Sequence, residues 1–322
     1  MSQISILIPS FNHAEFLPAC VSSLTSQTFQ DWSALAADDG STDGSMQFLE
    51  GLKESRLTVI RNEANLGTYG TLNRALQETT GDFVAILNSD DTWAPNKLSR
   101  QVEALEAHPE ASFCYTLGES IDAVGKLNSE QDIHSDWPKA EEQELLPYLL
   151  MENRLLASSI LFRRTALRFR PELRYSGDWV ALLDAALLGK AICVPETLTF
   201  WRKHDRNTSR RSSGQVSEEV LVRQSILAAR ETWKIRDIPE SDLSKGLSTC
   251  AMHLSALLVL QGRIHEARIA ARFAARKAPS RASLRRLVAV SLPASMAHRS
   301  LWHAEATLQP DNQPDLVEFG AS

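Results

Sequence analysis

The sequence predicts an α/β protein: a mostly parallel, Rossmann-like sheet with helices on both faces, followed by an α-helical C-terminal region. Three observations lead there. Phe83-Val84-Ala85-Ile86-Leu87 is an uninterrupted apolar run, too short for a helix of its own, as expected of a strand buried on both faces of a parallel sheet. Comparable short runs alternate with helical patterns from Ile4 to Leu87, giving the order βαβαβαβ with short connections. From about Ser217 strand patterns stop, and the chain reads as helices to about Thr307.

Taken in order, Ile4 to Ile8 is the first strand, stopped by Pro9, with Ser10-Phe11-Asn12-His13 as the turn at its carboxyl end. A helix follows with Leu17, Val21 and Leu24 on one face and Pro18 tolerated in its first turn. Ser33 to Ala37 is the second strand and delivers Asp38 to Ser45, a run of turn formers and helix caps. Met46, Leu49 and Leu52 mark a helix, Leu57 to Ile60 a third strand, and Asn65-Leu66-Gly67 a turn before a helix carrying Leu72 and Leu76. Beyond the fourth strand come a helix from Pro95 to Ala107 and a strand from Ser112 to Tyr115. The polar stretch Glu119 to Glu142 is expected to be a long surface loop, placed as a substrate-facing lid. Leu155 to Phe162 is apolar, Trp179 to Leu188 a helix, and Ala191 to Val194 and Thr197 to Trp201 two closing strands. The expected organisation is a domain over 1–210, a helical domain over 217–308 with one hairpin of tetratricopeptide type, and a tail over 309–322.

Among the 322 residues, 34 basic side chains stand against 40 acidic ones, a net charge of −6, and no nucleic-acid partner is expected at the level of the whole chain. Cys20, Cys114, Cys193 and Cys250 are scattered without a CxxC pair, so neither a zinc site nor a disulfide framework is suggested and a reducing, cytoplasmic setting fits. The first nine residues lack the basic segment of a signal peptide, and no window approaches 18 apolar residues. Between Arg263 and Arg299 nine Arg or Lys face one acid, Glu266. That run reads either as a solvated helix face or as peripheral contact with an anionic membrane, at its inner face.

The chemistry is expected at the strand ends. Ligands of open α/β sheets bind outside the carboxyl ends of the strands, where Asp90-Asp91 and Asp38-Asp39 fall. Adjacent carboxylates repel unless a cation, usually a divalent one, offsets them. The sequence holds no GxGxxG and no GxxxxGK[ST], which removes the main support for dinucleotide and P-loop readings. Asp39 can accept from the imide N–H of a pyrimidine base, and Phe11 offers a ring face for it.

Seven short motifs occur in one order: Ile8-Pro9-Ser10-Phe11-Asn12, Ser22-Ser23-Leu24 to Gln27-Thr28, Asp38 to Asp43, Asn65-Leu66-Gly67 with Asn73, Asn88-Ser89-Asp90-Asp91, Gly177-Asp178, and Trp201-Arg202-Lys203-His204. With these the chain resembles the family-two inverting glycosyltransferases of GT-A fold, from about Ser5 to Ser209. The resemblance implies transfer of a sugar from a nucleoside-diphosphate sugar, UDP-linked, to a hydroxyl of a glycan or lipid-linked glycan acceptor in cell-surface polysaccharide synthesis, with Mn²⁺ or Mg²⁺ as cofactor. It implies donor contacts from Pro9, Phe11, Asp39, Asn73, Ser89 and Asp90, with Phe11 and Asp39 at the base and Asp90 at the ribose. It puts the metal at Asp91 with His204 beside it, and makes Asp178 the catalytic base. Asn88 and Leu72 stand where many relatives carry Asp and Arg, which leaves the cation facing the diphosphate open among Arg202, Lys203 and Arg163. The alternatives are a nucleotidyltransferase of similar architecture and a non-catalytic nucleotide- or sugar-binding module.

Overall fold

The computed structural model describes residues 3–132, 139, 141–207, 213–234, 238–291, 317 and 319. The expected end of the helical region near Thr307, and the tail apart from Val317 and Phe319, lie outside them. The chain divides into two compact units, one of residues 1–145 and 154–209, the other of residues 146–153 and 210–322.

The first unit is built on a ten-stranded sheet of order β3-β2-β1-β4-β9-β6-β10-β5, with β7 on β6 and β8 on β10. Its strands are β1 (Ile4–Ser10), β2 (Trp32–Asp38), β3 (Leu57–Arg61), β4 (Phe83–Ile86), β5 (Thr92–Trp93), β6 (Ala111–Ile121), β7 (Leu127–Asp132), β8 (Glu142–Gln143), β9 (Ile160–Arg163) and β10 (Lys190–Arg202). The first four are mutually parallel, and β6 and β10 run with them, while β5, β7, β8 and β9 run against their neighbours. The helices are α1 (Leu17–Thr25), α2 (Ser45–Glu50), α3 (Gly67–Gln77), α4 (Lys97–Ala107) and, later in the chain, α6 (Gly177–Leu188). Alternate residues of β1, Ile4, Ile6 and Ile8, share one buried cluster with Leu17, Cys20 and Leu24 of α1, Leu49 of α2 and Leu98, Val102 and Leu105 of α4. Helix α3 packs on β1 and β2 without joining that cluster, so the sheet is covered on both faces.

Three expectations are corrected. Pro9 does not stop β1: the Leu7 carbonyl accepts from Leu87 N–H on the β4 side, so the N–H that proline lacks faces the same side two residues on, where β4 has already ended. The stretch from Glu119 is not all loop, because β6 continues to Ile121 and turns through Asp122–Lys126 into β7; Asp122 Oδ1 accepts from the N–H groups of Val124 and Lys126 and shapes the turn. Residues 133–138 and 140 of that stretch lie outside those described. The two closing strands are one, β10, whose pairing with β6 shifts register between Val194 and Thr199 and so accommodates Pro195.

The second unit holds α5 (Leu146–Leu149), α7 (Ser213–Ala228), α8 (Glu240–Leu260), α9 (Ile264–Lys277) and α10 (Arg281–Ser291). Leu146–Asn153, which falls inside the expected N-terminal domain, belongs to this unit. A Cβ on Gly246 would lie 2.6 Å from the Pro147 carbonyl, so glycine is what lets α5 approach α8. Helices α8 and α9 form a hairpin whose turn needs Gly262 at φ +73°. By length and composition α8 is long and apolar enough to cross a membrane, and 67% of that window is buried inside the protein. All four cysteines are buried free thiols.

Candidate active site

The carboxyl ends of β1, β2 and β4 are laced together by side chain to backbone hydrogen bonds. After β1 the chain takes Asn12 at φ 55°, a left-handed conformation that asparagine tolerates. Asn12 N–H donates to Ser41 Oγ (2.9 Å), Asn12 Oδ1 accepts from Thr42 N–H (2.9 Å), and His13 N–H donates to Ser45 Oγ (3.1 Å). The loop after β1 is thereby held to the loop after β2, and Phe11 stands on it, 46% exposed. Pro9 is half-buried just below.

Asp39 is buried and its carboxylate takes three donors within the protein. Oδ1 accepts from Asn62 Nδ2 (2.8 Å) and Leu66 N–H (2.8 Å), and Oδ2 from Gly67 N–H (2.9 Å). These last two amides open α3, so Asp39 pins the helix and meets its positive end. Beside it lies a cavity of about 370 Å³ lined by Gly40, Arg61, Asn62, Glu63, Ala64 and Asn65.

Asp90 and Asp91, adjacent in sequence, face different surroundings. Asp91 is buried; its Oδ2 accepts from Ser158 Oγ (2.6 Å) and Asn88 Nδ2 (3.3 Å), and its Oδ1 from Arg202 N–H (3.0 Å). Burial, and then the charge of Asp90, push its pKa up to about 8 in spite of those donors. Asp90 Oδ2 meets His204 Nε2 (3.0 Å) and accepts from Asn207 Nδ2 (3.3 Å). His204 Nδ1 accepts from Arg206 N–H (3.2 Å), so the proton sits on Nε2 and points at Asp90. His13 completes the group. Its Nδ1 pairs with Ser89 Oγ (2.8 Å), its ring meets His204 edge-on at 5.4 Å, and burial holds its pKa below the ordinary value. One ligand atom each from His13, Asp90 and His204 lies within 4.8 Å of the others. The oxygens in this cluster are those of Asp90; Asp91, expected at the metal, is its chain neighbour, with both oxygens taken by Ser158, Asn88 and Arg202.

Asp178 opens α6, where the helix macrodipole favours a carboxylate. Its Oδ1 accepts from Trp179 N–H (2.8 Å) and from the hydroxyl of Tyr69 (3.0 Å), in the first turn of α3. A Cβ on Gly177 would lie 2.4 Å from the Tyr69 ring, so only glycine leaves room for this contact. Asp39 thus connects to Asp178 through a single helical turn. Asn73 sits one turn further along α3, half-buried, and contributes no hydrogen bond to this network among the described residues.

The three cations left open resolve as follows. Arg202 is buried, its Nε donating to the Asp90 carbonyl (2.8 Å) and Nη1 to the carbonyls of Asp122 (3.1 Å) and Ala123 (3.1 Å). Arg163 binds the carbonyls of Ala111, Leu105 and His108 at the amino end of β6, the wrong edge of the sheet. Lys203 lies over the Trp201 ring. Arg206 stands instead at the rim, over Phe16, paired with Glu15 and donating to the Asn12 carbonyl (3.3 Å). His13 could have been found from its place in the turn after β1. Tyr69, Ser158 and Arg206 carry no such signal, since each acts on a residue far away in sequence.

A parallel-centred sheet covered on both faces, with acids converging at the carboxyl ends of its strands, defines a GT-A-like nucleotide-sugar fold. The model described as Glycosyl transferase family 2 matches residues 5–169, just over half of the 322 residues, and the chain belongs to that family. It is similar to an uncharacterised glycosyltransferase of Nostoc, 29% identical over 69% of this chain and 71% of that protein. It is also similar to WfgD of Escherichia coli, a UDP-Glc:α-D-GlcNAc-diphosphoundecaprenol β-1,3-glucosyltransferase, 35% identical over 40% of this chain and about half (52%) of that protein. Among solved structures, Staphylococcus aureus TarS (residues 1–349) matches with a TM-score of 0.63 at 15% identity, over 94% of this chain and 93% of that one. The mannosyltransferase PcManGT of Pyrobaculum calidifontis, in complex with GDP-Man and Mn²⁺, matches with a TM-score of 0.54 at 16% identity, over 94% and 88%.

Proposed function

We propose that this chain transfers a sugar, with inversion, from a UDP-sugar to a hydroxyl of a glycan or lipid-linked glycan in polysaccharide synthesis. The observation that carries the reading is the pair of acid arrangements after the strands: Asp39 tied to Asp178 through the first turn of α3, and Asp90 paired with His204. WfgD, as its name states, uses UDP-Glc on a diphosphoundecaprenol-linked sugar, and TarS was solved in complex with UDP-GlcNAc, which supports both the donor and the acceptor class.

In this reading the exposed Phe11 ring stacks on the base, over the half-buried Pro9, and Asp39 Oδ2, which takes one donor inside the protein against two on Oδ1, accepts the imide N–H. Ser89 keeps His13 in place, and Asn73 lies on the helix that Asp39 anchors. His13, Asp90 and His204 are the residues that would hold a divalent cation. One carboxylate with two imidazoles fits Mn²⁺ better than Mg²⁺, which prefers oxygen ligands throughout. A bound cation supplies Lewis-acid stabilisation of the departing diphosphate. To hold the cation through Nε2, His204 would need its proton on Nδ1 and would give up the Arg206 N–H bond there. Arg206, at the rim, is placed to exchange Glu15 for a phosphate oxygen. Asp178, held by Tyr69 and Trp179, takes the proton from the acceptor hydroxyl as its oxygen attacks the anomeric carbon opposite the leaving group. A single displacement of this kind inverts the anomeric centre.

A thermal-shift screen of UDP-, GDP- and dTDP-sugars with and without Mn²⁺ tests the donor, since a ligand that binds only the folded state raises its melting temperature. Metal-dependent stabilisation by UDP-sugars is expected. Asp178→Asn should retain that stabilisation and lose transfer; full turnover by this variant removes Asp178 from the mechanism.

A further inference from the structure

We propose that the outer face of the α9–α10 hairpin docks on an anionic phospholipid bilayer. Helices α9 and α10 turn their inner faces to one cluster, to which Ala267, Ala270, Ala271 and Val290 contribute and against which Leu287 packs. Arg268 Nε donates to the Val290 carbonyl (2.8 Å), joining the start of α9 to the end of α10, so the two helices run antiparallel. Each helix thus turns its opposite face away from that cluster. On α9 the outer stripe at helical spacing is His265, Ile269, Arg272 and Arg276; on α10 it is Arg281, Leu284, Arg285 and Val288. All eight are exposed, and none is acidic.

Charge pairing elsewhere on the hairpin sharpens the contrast. The acid of this region, Glu266, is taken by Arg263 (2.6 Å), and Lys277 is paired with Glu240 (2.8 Å). Among the described residues, no carboxylate lies within ion-pair distance of Arg272, Arg276, Arg281 or Arg285. Between these guanidinium groups Ile269, Leu284 and Val288 stand 53%, 51% and 64% exposed. An acidic protein surface would answer the arginines and leave three aliphatic side chains in water. A bilayer answers both, with phosphate headgroups for the arginines and the acyl boundary for the aliphatic tips.

The test uses the full chain in vesicle co-sedimentation, with phosphatidylcholine alone and with about 30% phosphatidylglycerol added. Binding is expected only with the anionic lipid, and it should weaken at least tenfold between about 0.1 and about 0.5 M salt. The double variant Arg272→Glu/Arg285→Glu should bind the anionic vesicles at least roughly tenfold more weakly, and Leu284→Ser/Val288→Ser should lose the salt-resistant remainder. Both pairs lie at exposed helix positions, so circular dichroism should match the wild type. Equal binding by either variant, equal binding to neutral vesicles, or capture by soluble polyphosphate without vesicle binding overturns the proposal. Turnover of a soluble acceptor by both variants stays at the wild-type level, so this result and the transfer reaction fail separately.

Discussion

Tyr69→Phe removes one hydroxyl and tests whether α3 tunes the base. The ring stays, seated against Gly177 and 6.4 Å from Phe169, so packing is preserved. The lost bond is a donor to a carboxylate at 3.0 Å, while the Trp179 N–H donor to the same oxygen remains. A hydrogen bond to a charged group contributes about 1.5–3 kcal/mol, and here it favours the ionised form, so Asp178 should become harder to ionise by about one to two pK units. The assay is kcat/KM for transfer against pH. Its acid limb should move up by that amount, so that activity falls roughly ten- to a hundredfold below the limb and little above it. KM for the donor should hold. An unmoved acid limb, with activity lowered evenly across pH, would refute the reasoning and leave Tyr69 a packing residue.

Other outcomes follow from the same contacts. Lys97 is fully buried against Gln101 Oε1 (2.6 Å) and the Trp93 ring, and burial lowers its pKa from 10.5 to about 7. The native state therefore binds the proton less readily than the unfolded chain, so the penalty is complete below about pH 7 and is relieved as pH rises toward 10.5. Lys97→Met should stabilise the protein by about 2–4 kcal/mol at pH 6, in urea melts, with the gain fading by pH 10; a pH-independent gain would contradict it. Asp39→Asn offers one acceptor oxygen to three donors, and should cost about 2–4 kcal/mol of stability together with donor-induced thermal shift. Mn²⁺ uptake near Asp90 should draw off the proton that burial keeps on Asp91, visible as buffer-dependent heat in calorimetry at pH 7 and absent in Asp91→Asn.

The sheet was legible because its strands are apolar on both faces: Ile4 to Ile8 and Phe83 to Leu87 announce themselves without neighbours. The edge where chemistry gathers followed from strand direction alone. The hairpin from Ile121 to Leu127 did not, because its polar residues show no alternation and its turn is fixed by Asp122 and by Arg202 from another strand. The division of labour between Asp90 and Asp91 was hidden for a similar reason. Neighbours on a chain look alike until Ser158 claims one and His204 the other. The Tyr69–Asp178 bond spans 109 positions, and only the missing Cβ of Gly177 hints at it.

The irregular middle of β10 has a mechanical meaning. Ala191 pairs with Phe113 and Phe200 with Glu119, so the offset between the partners grows from 78 to 81 along the strand. Three extra residues on one strand are taken up as a bulge, which bends β10 and re-aims the segment that ends in Arg202, with His204 just beyond it, relative to the segment that carries Ile192.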